Sequence, residues 1–412
     1  MTDDVYEERP DHLDSTYRAF HGAGRSVAWW PRGGFWFVAG HEEVSQAAKD
    51  SETFSSRHDI PNGSSPYLGV MVPPTPIAAN PIELDPPDHA VRRRAVNRRL
   101  LPRGLAALTP DVQRYVTWCI DRRISGGKID LFHDLAKLVP AMVTFRLLGL
   151  PLEYAGQVAD AVHIRGEDRF ALSPVWTQTV EQIIEAMIER RREPADDLIS
   201  DLVTVQPDGS RVPEKKVLAI CLTMIIGGMS TTAKGALGSL WHFGCSAADR
   251  QRLIDDPEAI GPAVEEMLRY FSPVPLLART ATRDTTLGPA QIAEGDRVVI
   301  GYGAANRDPA VFDDPNEVDI ARSPNPHVAM GHGGHFCVGA ALGRMELAMI
   351  ITEVLRRMPD YELQADREFL RRLTVRPQSL PATFTPGEPE GDPDAIILAQ
   401  PQPEPAGAQA RG

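Results

Sequence analysis

The sequence predicts a mainly α protein with a smaller β portion, an α+β chain folded around one large core. Three observations predict it. Amphipathic helical periodicity dominates from about Asp88 to Ala259. Short strand-like runs flank that stretch, at Val27 to Phe54 and again at Arg279 to Asp308. No linker between them is long or polar enough to separate independent domains. Apolar residues make up 42% of the 412 residues, enough for a substantial core.

The elements follow in order. Residues 1–14 open acidic and polar and are expected to be flexible. Gly34-Phe35-Trp36-Phe37-Val38 reads as a strand, and His41 to Lys49 as a helix. Further helices are expected over Leu105–Arg123, Leu131–Leu148 and Val180–Arg192. The second stops at Gly149 with Pro151 beyond, a normal helix-ending pair. Val217–Ile226 is an apolar run that enters Gly227-Gly228-Met229-Ser230-Thr231-Thr232, and the helix continues to about Cys245. A last long helix spans about Val338 to Met358. Residues 387–412 are rich in Pro, Gly and Ala and are expected to be disordered, which leaves 15–386 as the folded unit.

Charge excludes some functions. With 43 Lys+Arg against 56 Asp+Glu the formal net charge is −13, the wrong sign for a nucleic-acid partner. No apolar run reads as a membrane span, and the first ten residues do not resemble a secretory leader. Cys119, Cys221, Cys245 and Cys337 are far apart and suggest no disulfide framework. A cytoplasmic protein is expected.

The most informative stretch is Met330-Gly331-His332-Gly333-Gly334-His335-Phe336-Cys337-Val338-Gly339. A helix begins directly after its cysteine. That places the sulfur at the positive end of a helix dipole, which should lower the thiol pKa. The flanking glycines permit a tight loop and close approach of N–H groups. A thiolate ligand to haem iron suits these features. A glycine-rich turn around a buried free cysteine, or a zinc site from His332, His335 and Cys337, would also use these residues.

The loop resembles the haem-binding signature of the cytochrome P450 family, Phe-Gly-x-Gly-x-x-x-Cys-x-Gly, with Met330 in place of the usual aromatic. The resemblance implies haem b, with Cys337 as the iron ligand and Gly339 in the cofactor loop. Other motifs agree in order and spacing. Glu266-Met267-Leu268-Arg269 places Glu and Arg on one helix face, a spacing also common in solvated surface pairs. With Arg322 it resembles the family's structural Glu/Arg/Arg cluster. His89 and Arg93, then Arg279 and His335, stand where the family holds the anionic haem propionates. Ala304-Ala305-Asn306-Arg307-Asp308-Pro309 also fits, and the resemblance covers roughly residues 15–386.

A glycine pair within a buried helix costs about 1 kcal/mol per residue relative to alanine. Gly227-Gly228 must therefore serve close packing or a functional kink. The resemblance implies the second: Gly228, Ser230 and Thr231 form the oxygen-activation site, with Thr231 bonding the bound oxygen. Ser230 departs from the family's acid, and a hydroxyl does not ionise near neutral pH. The resemblance implies a monooxygenase relaying protons through water. The departure leaves a peroxide-driven or oxidative-coupling enzyme as the alternative. A non-catalytic haem carrier or sensor is a third reading, opposed by Thr231 beside the glycine pair.

A substrate pocket for a lipophilic small molecule is expected from Met71, Met224, Gly227, Leu276, Leu277 and Gln378, with Tyr67, Leu68, Val70 and Ser379 nearby. His163, Arg165, Asp168 and Arg169 fall in the lid region. No flavin or iron–sulfur motif is present, so NAD(P)H would act indirectly, through a ferredoxin reductase and a ferredoxin. Arg92, Arg94, Arg98, Arg99 and Arg103 form a basic run suited to docking an acidic ferredoxin, or simply a solvated face.

Overall fold

The structure, a computed structural model, describes residues 10–59, 65–75, 78–163, 174–204, 212–364 and 379–392. The chain begins with α1 (Pro10–Gly22) and the hairpin β1 (Val27–Trp30) and β2 (Phe35–Val38), then α2 (His41–Lys49) and β3 (Phe54–Ser55). Eight helices follow: α3 (Asp88–Leu100), α4 (Pro102–Ile124), α5 (Leu138–Leu148), α6 (Ala155–His163), α7 (Pro174–Arg192), α8 (Leu198–Val203), α9 (Glu214–Cys245) and α10 (Ala247–Asp255). β4 (Lys128–Asp130) lies between α4 and α5. After α11 (Ile260–Phe271) come β5 (Leu277–Ala281), β6 (Thr285–Leu287), β7 (Ala290–Ile292) and β8 (Arg297–Ile300). The short α12 (Tyr302–Ala305), the long α13 (Ala340–Arg357), β9 (Glu362–Leu363) and β10 (Pro381–Thr383) complete the described chain.

The main sheet has the order β1-β2-β8-β5-β3. Only β2 and β8 run parallel, with Phe37 opposite Val299; the other neighbours are antiparallel. It unites the two strand-like stretches of the sequence, which are more than two hundred residues apart. The main apolar core lies among the helices, with α9 at its centre against α5, α6, α11 and α13. By length and composition alone α9 could cross a membrane (mean hydropathy 1.5 over its most apolar window). The sequence reading expected no such run. Packing against four helices gives α9 instead the position of a core helix.

Four expectations need correction. α1 starts at Pro10, inside the segment expected to be flexible. Leu131–Leu148 is not one helix. Asp130 caps the N–H groups of Phe132 (3.0 Å) and His133 (2.9 Å), and the Lys137 N–H reaches Phe132 O, five residues back, at 3.0 Å. Leu131–Ala136 is thus a π-helical turn ahead of α5. Apolar periodicity does not report which carbonyl a given N–H selects. α7 begins at Pro174, six residues before the expected Val180. Finally, the tail does not leave the fold at 387: Gly387 N donates to Ile124 O (3.1 Å), and Glu390 N and Gly391 N donate to the buried Asp121 carboxylate (3.1 and 2.8 Å). Composition alone does not reveal a distant partner for those amides.

Candidate active site

The cysteine loop is built as the glycines demand. Gly331 (φ +74°) and Gly333 (φ +68°) occupy the left-handed region, and a Cβ on Gly333 would stand 2.8 Å from Lys49 Cα on α2. The Cys337 N–H donates to Met330 O at 2.7 Å, closing the loop, and α13 starts three residues later. Cys337 itself is exposed on one side. The protein enclosing it elsewhere pushes its thiol up from the ordinary value, against the opposing pull of the Gly339 backbone N–H, Arg93 and Arg344. The expected lowering by the helix dipole is therefore outweighed by desolvation. A bound metal cation would reverse that balance, since coordination deprotonates a thiol outright.

Beside the cysteine the structure gathers the four predicted cationic and imidazole residues. The rings of His89, on α3, and His335 lie 4.0 Å apart. His335 is held at about 2, by burial first and then by Arg279, His89 and Arg93. Burial also lowers His89, helped by Arg93 and Arg279 and opposed by Asp85. Arg279, on β5, is 2% exposed, and its guanidinium donates to Ala278 O at 2.8 Å; no carboxylate pairs with it among the described residues. His335 Nδ1 is buried without a hydrogen-bond partner. A buried arginine lacking a counter-ion next to an orphaned imidazole nitrogen calls for an anion. The propionates of the expected haem would supply it, and the exposed Cys337 sulfur would be the iron ligand, so the residues present fit that cofactor. Ser56, which the sequence reading missed, approaches His335 Nε2 at 3.3 Å.

By contrast, no group of three or more His, Cys, Asp or Glu among the described residues stands close enough to hold a metal ion. The zinc alternative is not assembled.

Glu266 and Arg269 are both fully buried on α11 and pair through two bonds of 2.8 Å. Arg322 Nε reaches the same carboxylate at 3.2 Å, and the Asp319 N–H donates to it at 2.8 Å. Arg269 also donates to the carbonyls of Asn306, Pro315 and Glu317. This is no surface pair; it ties α11 to the chain leading into the cysteine loop. Glu265, next to it, accepts from Arg344 (2.6 and 2.8 Å) and His327 (3.1 Å). Burial would raise its carboxyl, but those two partners overcome it and hold it at about 2. Arg344, on the second turn of α13 and close enough to act on Cys337 electrostatically, was also missed.

On α9 the glycine pair divides its duties. Gly227 is exposed, with nothing within 4 Å of where a Cβ would lie. Gly228 points at α5, where a Cβ would meet Thr144 Oγ1 at 2.8 Å. Gly228, expected at the oxygen-activation site, also serves close packing, since a Cβ there would require Thr144 to shift. Thr231 donates to Gly227 O at 2.6 Å, and Ser230 to Ile226 O at 3.0 Å. Gly227 and Thr231 thus form an open step on the helix at the centre of the core.

The pocket residues separate as well. Met71, Met224, Leu276 and Leu277 are half-buried, and Leu68 is exposed. Tyr67 lies under Arg57, whose guanidinium carbon is 3.9 Å from the ring centroid. Val70 is fully buried and cannot line a cavity; Ser379 bonds Asp130. Gln378, Arg165, Asp168 and Arg169 lie outside the described residues. His163 turns inward, donating from Nδ1 to Ala159 O at 2.7 Å with its ring against Phe132. In the basic run Arg99 forks onto Asp201 and Asp196, and Arg98 stands 3.9 Å from Asp201, leaving Arg94 and Arg103 as exposed charges.

Comparisons with known proteins agree with this geometry. The family profile described as Cytochrome P450 matches residues 261–369. Cytochrome P450 130 of Mycobacterium tuberculosis is 36% identical over 351 residues, covering 82% of this chain and 85% of its own. The steroid C26-monooxygenase of Mycolicibacterium smegmatis is 30% identical over 415 residues, covering 94% and 99%. Among solved structures, the polyketide synthase cytochrome P450 PksS of Bacillus subtilis superposes with a TM-score of 0.79 at 26% identity, covering 93% of this chain and all of that one. With 30–36% identity to such enzymes over most of its length, and a cysteine loop and anion clamp that fit haem b, the chain belongs to the cytochrome P450 family of monooxygenases, oxidoreductases that draw NAD(P)H-derived electrons through a reductase.

Proposed function

We propose that the protein inserts one oxygen atom from O2 into a lipophilic small molecule of the terpenoid, steroid, aromatic or polyketide-like kind. Two electrons and two protons reduce the other oxygen atom to water. The carrying observation is the open Gly227–Thr231 step on α9, with half-buried Met224 one turn before it on the same helix. The steroid and polyketide names of two relatives support the substrate class.

The residues divide the work. Cys337 holds the iron, while Arg279, His335, His89 and Arg93 hold the propionates. The haem, once bound, supplies the oxygen-activating redox chemistry. At rest the Thr231 and Ser230 hydroxyl protons both go to carbonyls one turn back. Thr231 must swing away from Gly227 O to pass a proton on, and a water must resupply it, since neither hydroxyl ionises. A cytoplasmic ferredoxin with its reductase delivers the electrons, docking near the exposed Arg94 and Arg103.

The test uses purified holoprotein with a surrogate ferredoxin system. Steroid or polyketide compounds that shift the ferric Soret band should also accelerate NAD(P)H consumption and yield singly oxygenated product. Product formed only with hydrogen peroxide would favour the peroxide-driven alternative that Ser230 raised.

A further inference from the structure

Glu83 lies in the loop between β3 and α3, and its side chain is wholly buried. One carboxylate oxygen accepts the Val70 N–H at 2.8 Å; the other accepts the Ala79 N–H at 2.6 Å and His58 Nδ1 at 3.0 Å. Three donors from three separate points of the loop thus converge on one anion. Gly69 (φ +72°) completes the fit: a Cβ there would stand 2.2 Å from Glu83 Oε1. A short antiparallel bridge already joins His58 to Leu68, with Asp59 N donating to Tyr67 O and Gly69 N to Arg57 O (both 3.0 Å), and Arg297 donates to the Gly69 and Met71 carbonyls; the Glu83 carboxylate adds the tie from that bridge to Ala79.

The loop so gathered lies against β5 and the anion clamp. Its Val70 carbonyl accepts from Ala278 N at 2.8 Å, beside Arg279 of the anion clamp, and Val72 packs in the same apolar cluster as Leu276. Two residues after Glu83, Asp85 bonds Ser55 and the Ser56 N–H, and Ser56 in turn approaches His335. We propose that Glu83 is a positioning residue for substrate: it gathers His58, Val70 and Ala79 so that Leu68 and Met71 are set in place at the pocket, and it thereby determines which bulky molecules fit. This rests on the pocket reading above.

The test needs no known substrate. Imidazole and clotrimazole both coordinate haem iron through nitrogen and red-shift the Soret band, but only bulky clotrimazole reaches the loop. Glu83→Gln keeps the size and removes the charge; His58→Phe removes one donor and leaves the carboxylate. In holoprotein, Glu83→Gln should weaken clotrimazole by about tenfold while imidazole stays within about twofold of the parent. His58→Phe should shift the same ratio in the same direction, and it decides the matter if Glu83→Gln fails to load haem. Clotrimazole bound equally by the parent and by the haem-loaded variants overturns the assignment, as does equal weakening of both azoles in a haem-loaded variant. A parent protein whose Soret band imidazole does not shift would overturn the haem-site reading instead.

Discussion

Gly228 of α9 stands so close to Thr144 of α5 that a Cβ on it would lie 2.8 Å from the threonine Oγ1, while its neighbour Gly227 faces open space. Two adjacent glycines therefore answer to different constraints. Gly228→Ala should destabilise the protein by about 1–3 kcal/mol through overpacking. Adding Thr144→Ala should restore most of that loss. Gly227→Ala should leave stability equal or raise it by about 1 kcal/mol, since the helix gains a better former. It should also reshape ligand binding. Urea unfolding and azole titrations separate the two effects; similar stability losses at both positions would refute the division.

Glu266→Gln leaves the Arg269 and Arg322 guanidiniums in a buried site without their anion. Breaking such a pair costs about 3–5 kcal/mol. We expect haem content to fall with stability, because Arg269 ties α11 to the carbonyls of Asn306, Pro315 and Glu317 ahead of the cysteine loop. Undiminished thermal stability in the variant would contradict this.

Glu346 of α13 is 3% exposed, and its Oε2 has no hydrogen-bond partner. Burial raises its carboxyl from the ordinary 4.5 to about 8. Between those values the folded protein keeps a proton that the unfolded chain has lost, so this group's contribution to stability falls as pH rises from 4.5 to 8. At pH 7 the accumulated loss is about 3 kcal/mol. Glu346→Gln should therefore be more stable than the parent at pH 8 and nearly equal to it at pH 5. Parallel stability profiles for the two proteins would show that the carboxyl is not buried alone.

Arg279→Met removes the buried guanidinium that lacks a carboxylate partner among the described residues. If it pairs with a propionate, the variant should lose haem to a scavenging apoprotein at least about tenfold faster, because a charge-assisted bond is lost. Unchanged release would place the propionates elsewhere.

Ser230→Asp introduces an ionisable group beside Thr231. Coupled, NAD(P)H-driven product formation should rise if proton supply limits the parent. A flat or lower yield would show that water already suffices.

The sequence carried more of the site than of its surroundings. Cys337, the loop glycines and the helix after them were legible because that chemistry is local: a tight loop demands glycine, and a helix start is written in adjacent residues. Glu266 with Arg269 was visible as a spacing, yet only packing made it a buried pair rather than a solvated one. The π-helical turn at Leu131–Ala136, the role of Gly228 and the docking of 387–391 on α4 were not legible. The last two depend on a partner far along the chain: Thr144 lies 84 positions from Gly228, and Asp121 lies 270 from Gly391; the first depends on which nearby carbonyl the Lys137 N–H selects.

What the sequence determined by itself was the kind of protein and the cysteine loop proposed to hold its iron, since these follow from neighbours within a turn or two. What the tertiary structure decided was which polar groups are buried and what each of them meets there. Arg279, His335, Glu83 and Glu346 are ordinary residues in the chain. They gain a function or a cost only where the fold removes their water, because desolvation, not residue type, makes a charge demand a counterpart.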